Sequence, residues 1–181
     1  TGANNYIAGS GAGSSLISGT LNSAFGAGAL DNVSTASNNT AVGHNSMGSG
    51  NDSGNNTAVG VYSLYVVSGA DNVAGGLNAL KGQTGSGDKN VAIGSSAMDS
   101  NYSTSNNVAV GYNALGGPSL LGGNNIAIGY QAGDNIITGT NNIMIGYDIE
   151  APGDSTNDQL SIGNLIYATG GFGTGTSVGA G

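Results

Sequence analysis

One five-residue phrase recurs along this chain: Asn, any residue, a small apolar residue, a branched apolar residue, Gly. It reads NYIAG at 5–9, NSAFG at 22–26, NTAVG at 39–43 and again at 56–60, and NVAGG at 72–76. It continues as NVAIG at 90–94, NVAVG at 107–111, NIAIG at 125–129, NIMIG at 142–146 and QLSIG at 159–163. The closing glycines are Gly9, Gly26, Gly43, Gly60, Gly76, Gly94, Gly111, Gly129, Gly146 and Gly163, spaced by 17, 17, 17, 16, 18, 17, 18, 17 and 17 residues. A fixed short period sustained over a whole chain is the mark of a solenoid, in which each unit buries its apolar surface only against its neighbours. The repeat domain is accordingly placed at residues 1–163, with 164–181 as a closing or junction segment.

Each unit is too short for a helical hairpin, and its Gly, Asn and Ser residues are poor helix formers. The β-branched phrase suits a short strand. A second semi-apolar stretch follows each Gly and ends at Leu30, Met47, Leu64, Leu80, Met98 and Leu115. Turn residues such as SNN (37–39), SGNN (53–56) and GGNN (122–125) come next, where Gly and Asn accept left-handed backbone. The unit therefore reads as strand, corner, strand, corner. The expected fold is all-β, a parallel β-roll or β-solenoid of about ten 17-residue coils. At the sheet spacing of about 4.8 Å, ten coils make a body roughly 48 Å long.

Glycine supplies 36 of the 181 residues, yet two prolines and no Gly-X-Y period exclude collagen. An apolar fraction of 38% with only 7% charged residues argues against disorder. The charge of −8 comes from 10 acids against Lys81 and Lys89, which excludes nucleic-acid partners because nothing is present to neutralise phosphates. The lack of basic clusters likewise argues against anionic membrane surfaces, and no apolar run is long enough to insert in a bilayer. Without Cys there are no disulfides and no thiol chemistry. A first residue Thr1, not Met, suggests a processed chain or an excised piece.

The strand columns carry the functional argument. The middle column is Ala24, Ala41, Ala58, Ala74, Ala92, Ala109 and Ala127, with Ile7, Met144 and Ser161 as exceptions. Its small side chains suit the narrow interior of the roll. The flanking columns point the other way. One holds Phe25, Val42, Val59, Ile93, Val110, Ile128, Ile145 and Ile162; the other starts polar at Ser23, Thr40 and Thr57 and turns apolar from Val73 onward. Both faces of the strand are thus apolar, whereas a half-solvated strand should alternate. The Val/Ile row would form an exposed stripe along the body, and copies of the same chain cover it most economically. A homo-oligomer is expected, with Val42, Val59, Ile93, Val110, Ile128, Ile145 and Ile162 as its stripe.

The phrases NVAIGSSAM (90–98), NNVAVGYNAL (106–115) and NNIAIGYQAG (124–133) resemble the head repeats of trimeric autotransporter adhesins. They are more similar to phage tail-fibre repeats, where NTAVG-type units about 17 residues long precede a self-cleaving chaperone of the endosialidase type. The segment STNDQLSIGNLIYATG (155–170) resembles the junction that closes such arrays. The resemblance implies a left-handed roll, three chains around one axis, and a place outside the cell on a virion tail fibre that contacts a host glycan or protein receptor. Bacterial adhesin heads have shorter coils, so a bacterial cell-surface adhesin is the second reading and a purely structural spacer the third.

Enzyme chemistry has little to work with, and neither a catalytic residue nor a cofactor is expected. His44 is the only histidine and follows the strand Gly in a variable column. No local pattern gives it a carboxylate partner and a nucleophile, so it is read as a surface or interface residue, with an axial metal as the lesser option. The acids are scattered through corners, without the regular Gly-Gly-x-Gly-x-Asp spacing of calcium-binding rolls. Only 148–158 gathers four of them, as a minor calcium candidate. Glycosidase action would need two carboxylates facing across a cleft. An ice-binding array would need a long Thr row, and Thr40 and Thr57 end at Val73. Tyr112, Tyr130 and Tyr147 share one column in three successive units and should form a ladder, with Tyr62, Tyr65 and Tyr102 in or near the following strands. Such a row could contact glycans, or pack where chains meet.

Overall fold

The computed structural model describes residues 4–50, 53–82, 85–100, 103–163 and 166–168. Tyr102 and most of the closing segment lie outside them. The strands are, in chain order, β1 (Tyr6–Ala8), β2 (Ser23–Phe25), β3 (Thr40–Val42), β4 (Ser49–Gly50), β5 (Thr57–Val59), β6 (Val66–Val67) and β7 (Val73–Gly75). They continue with β8 (Val91–Ile93), β9 (Val108–Val110), β10 (Ile126–Ile128), β11 (Ile143–Ile145), β12 (Leu160–Ile162) and β13 (Ile166–Ala168). Every phrase strand pairs in parallel with that of the next coil, in the order β1-β2-β3-β5-β7-β8-β9-β10-β11-β12. The register follows the repeat without a slip: Ala41 lies opposite Ala58, Ala92 opposite Ala109, and Ile128 opposite Ile145. The chain is therefore a β-solenoid, and the described residues contain no helix.

The Ala column faces inward, and Ala24, Ala41, Ala58, Ala74, Ala92, Ala109 and Ala127 are all buried. Against them pack Leu30, Met47, Leu64, Leu80, Met98 and Leu115, the largest side chains of the interior. Here the expected second strand is corrected. These six residues have φ between 47° and 55°, and the residues two before five of them, Asn45, Tyr62, Asn78, Ser96 and Asn113, lie between 51° and 56°. The stretch is thus a tight turn, with only the two-residue strands β4 and β6 forming a small second sheet. An extended segment would send alternate side chains outward; a left-handed turn swings the Leu or Met straight into the core. For a residue with a Cβ that conformation costs roughly 1–2 kcal/mol. Burying the side chain returns about 1.5–3 kcal/mol, which is enough to hold it there.

A buried amide ladder runs beside the Ala column. The side-chain Oδ1 of each Asn accepts the backbone N–H of the corresponding residue one coil later: Asn22 from Asn39 (2.9 Å), Asn39 from Asn56 (2.9 Å), Asn90 from Asn107 (3.0 Å) and Asn107 from Asn125 (2.8 Å). The Nδ2 of most rungs donates within the same coil, to the carbonyl 13–15 residues on, as Asn22 does to Ala36 O and Asn90 to Thr104 O. One side chain therefore bonds to the next coil and closes its own. That double duty fixes the coil length and satisfies polar groups that water cannot reach.

The strand-ending glycines stack along the same axis. Gly43 has φ of 130°, and a methyl group there would sit 2.5 Å from the carbonyl oxygen of Gly60. Only glycine fits, so the column follows from contact between coils. Where the interior varies, it does so in compensating pairs. Gly133 takes the place of the Leu, and the space is filled by Ile136 and by Met144, which replaces an Ala one coil later; both are buried. At the first coil Gly13 makes the same exchange with Ile7.

Candidate functional site

The outward side of the strand sheet is the surface to which the sequence assigned function. Phe25, Val42, Val59, Ile93, Val110 and Ile128 are between 36% and 48% exposed, while Ile145 and Ile162 are half-buried. The row is broken at Gly75, which follows from the sequence. The parallel column is half-buried at Thr40, Thr57, Val91, Val108, Ile126, Ile143 and Leu160, with Val73 exposed. Round the corner, Val61, Leu77, Tyr112, Tyr130 and Tyr147 are exposed as well. Three residues per strand and ten coils make the strand face roughly 48 Å by 10 Å, or about 500 Å². That alone is at the upper end of what monomers leave open, and the corner row widens it.

The tyrosine ladder is present as expected. The rings of Tyr112 and Tyr130 have centroids 5.2 Å apart at 16°, and those of Tyr130 and Tyr147 are 5.0 Å apart at 10°. Unbroken register puts the three rings one sheet spacing apart, and at that distance near-parallel stacking is favourable. The geometry also limits what they can bind. A sugar ring stacks on an aromatic face, and both faces of Tyr130 are taken by its neighbours. Ring edges and hydroxyls remain, together with the outer face of Tyr147, the most exposed of the three at 74%.

A second aromatic group lies on the turns of earlier coils. Tyr62 meets His44 edge-on at 5.6 Å and Tyr65 at 5.2 Å, and the Lys81 ammonium stands 5.5 Å from the Tyr62 ring centre. His44 is exposed; its Nδ1 lies 3.1 Å from Ala27 O and its Nε2 3.2 Å from Asn45 Nδ2. A carbonyl on one side and an amide donor on the other fit the neutral imidazole with its proton on Nδ1.

The acids stay dispersed. Among the described residues no three His, Cys, Asp or Glu side chains gather as a metal site requires, and the four acids of 148–158 do not converge. Asp134 has the one resolved electrostatic perturbation. Partial burial pushes its carboxyl above the usual range, repulsion from Asp148 adds to this, and hydrogen bonds from Gln131 and Asn113 oppose it. No helix among the described residues is long and apolar enough to cross a membrane.

The residues that most shape this surface, the Asn ladder, were not picked out as such in the sequence. The available signal was the presence of Asn in nine successive rungs before Gln159, where an ordinary turn would tolerate Asp, Ser or Gly. Comparison with protein-family models, curated protein sequences and solved structures returns no match.

Proposed function

We propose that this chain is the rigid repeat region of an extracellular homotrimeric fibre, a phage tail fibre that touches the host surface. The observation that carries the reading is the Val/Ile row, open to water coil after coil on a roll whose interior is already full. A body with a filled core gains nothing from a second apolar face unless something covers it. A sister chain presents an identical row at an identical spacing, so each contact is repeated along the axis. The similarity of the repeats to tail-fibre and adhesin-head units supports three chains, and the coil length favours the phage reading.

The mechanical consequence is direct. Backbone bonds such as Thr40 N–H to Asn56 O (2.9 Å) and Gly60 N–H to Val42 O (2.8 Å) run from coil to coil, along the long axis. Bending the body means stretching several of them together. Glycan contact is assigned to the edges and hydroxyls of Tyr112, Tyr130 and Tyr147 and to the open face of Tyr147.

The test is to place charge in the row. Val110→Asp with Ile128→Asp would put like charges opposite one another between sister chains, at a cost of several kcal/mol per buried unpaired carboxylate. The expected result is single chains that keep their β-type circular dichroism. An assembly unchanged in size and melting temperature would contradict the reading.

A further inference from the structure

The two ends of the roll are built differently. Nine rungs of the amide ladder, from Asn5 to Asn142, each pass a side-chain oxygen to the backbone N–H of the next coil, the last to Gln159 at 2.9 Å. Gln159 breaks the pattern. Its Oε1 accepts from Gly153 N (3.1 Å), and its Nε2 donates to Gly153 O (3.0 Å) and Thr156 O (2.7 Å). All of its amide is spent inside its own coil. The strand ladder ends at the same place, because β13 reverses direction and lies antiparallel on β12, with Ile162 opposite Ile166 and Leu160 opposite Ala168.

At the other end β1 pairs with β2 alone among the described residues, and Tyr6, Ile7 and Ala8 are all exposed. Tyr6 N–H bonds to Asn22 O and Ala8 O accepts from Gly26 N–H, so both face β2. By strand alternation Ile7 turns its own N–H and C=O to the opposite, outer edge. Every coil of this roll pairs in the same register, so the outer edge of β1 matches the edge of β12 that β13 covers. The expected partners are Tyr6 on Leu160, Ile7 on Ser161 and Ala8 on Ile162.

We propose that Gln159 and β13 form a built stop, which keeps the β1 edge of a second copy of this chain from adding to β12 and so prevents end-to-end growth. A head-to-tail contact of this kind does not close on itself and would propagate as a filament. Exposed strand edges are templates for such addition, and an antiparallel cover is one way to remove them. The proposal does not depend on how many chains share the axis.

Two forms of the chain test it. One carries Gln159→Asn with Ile166→Pro and Ala168→Pro, which removes the N–H donors of β13 opposite Ile162 and Leu160. The other ends at Gly163 and carries Gln159→Asn. Either should form filaments whose mean particle mass by light scattering rises about tenfold or more with concentration, while the native chain keeps a fixed size. Adding Ile7→Pro, which leaves the bonds to β2 intact, should return both forms to the native size. Particle mass that stays constant in both forms with β structure retained would overturn the proposal. So would filaments that persist with Ile7→Pro. Loss of β structure in both forms would show that β13 holds the fold instead of limiting its growth, and would overturn it equally.

Discussion

Each position in the coil has its own tolerance, set by what lies one coil above and below. Gly43→Ala would press a methyl group onto the Gly60 carbonyl in a backbone conformation that disfavours any Cβ, and should cost about 3 kcal/mol in chemical denaturation. Asn90→Ala would strand the Asn107 N–H and the Thr104 carbonyl in the interior. At about 1–3 kcal/mol for each buried group left unpaired, a loss of roughly 2–4 kcal/mol is expected. Lys89 sits at φ 59° in a column otherwise filled mainly by Asn and Asp, so Lys89→Asn should raise stability by about 0.5–1 kcal/mol. Asp134 gives a pH signature. Its folded-state pKa is raised, so the folded chain binds this proton more tightly than the unfolded chain. The carboxylate therefore opposes folding above its folded pKa, and the opposition fades as pH falls through that value towards the ordinary one. Asp134→Asn should raise the melting temperature at neutral pH and lose that advantage on acidification. An equal gain at every pH would contradict the assignment.

The strand and turn elements show what the sequence could and could not reveal. The ten phrase strands, their parallel register and the inward Ala column were all legible, because period and residue size leave one arrangement for them. The Leu/Met stretch was misread as a second strand. Semi-apolar tetrads such as HNSM (44–47) and YNAL (112–115) look extended in pattern, but Met47 and Leu115 hold left-handed φ, a conformation that propensity alone disfavours for such side chains. Burial across the roll decides it, and that contact is not local in sequence. The Asn ladder was visible as a column, though its two-way bonding depends on the stacking of coils. The compensating interior exchange offers a test at this scale. Met144→Ala alone should leave a cavity worth about 2–4 kcal/mol beside Gly133. Combined with Gly133→Leu, which restores the pattern of the neighbouring coils, much of that loss should be recovered in a double-mutant cycle.

For the molecule as a whole, the outward rows matter more than any single side chain. The Val/Ile stripe, the column that turns from Ser23, Thr40 and Thr57 to Val and Ile, and the stacked tyrosines lie together on the outward side of one sheet. The polar start of that second column implies that sister chains grip most tightly from Val73 onward. Amide hydrogen exchange should then be slower in β8 to β11 than in β2 and β3. The central claim is that identical chains cover the stripe, and sedimentation equilibrium of the purified chain tests it most directly. The account predicts a single species of three times the 17.4 kDa chain mass, persisting on dilution. A stable, folded species of one chain mass at the same concentrations would contradict it.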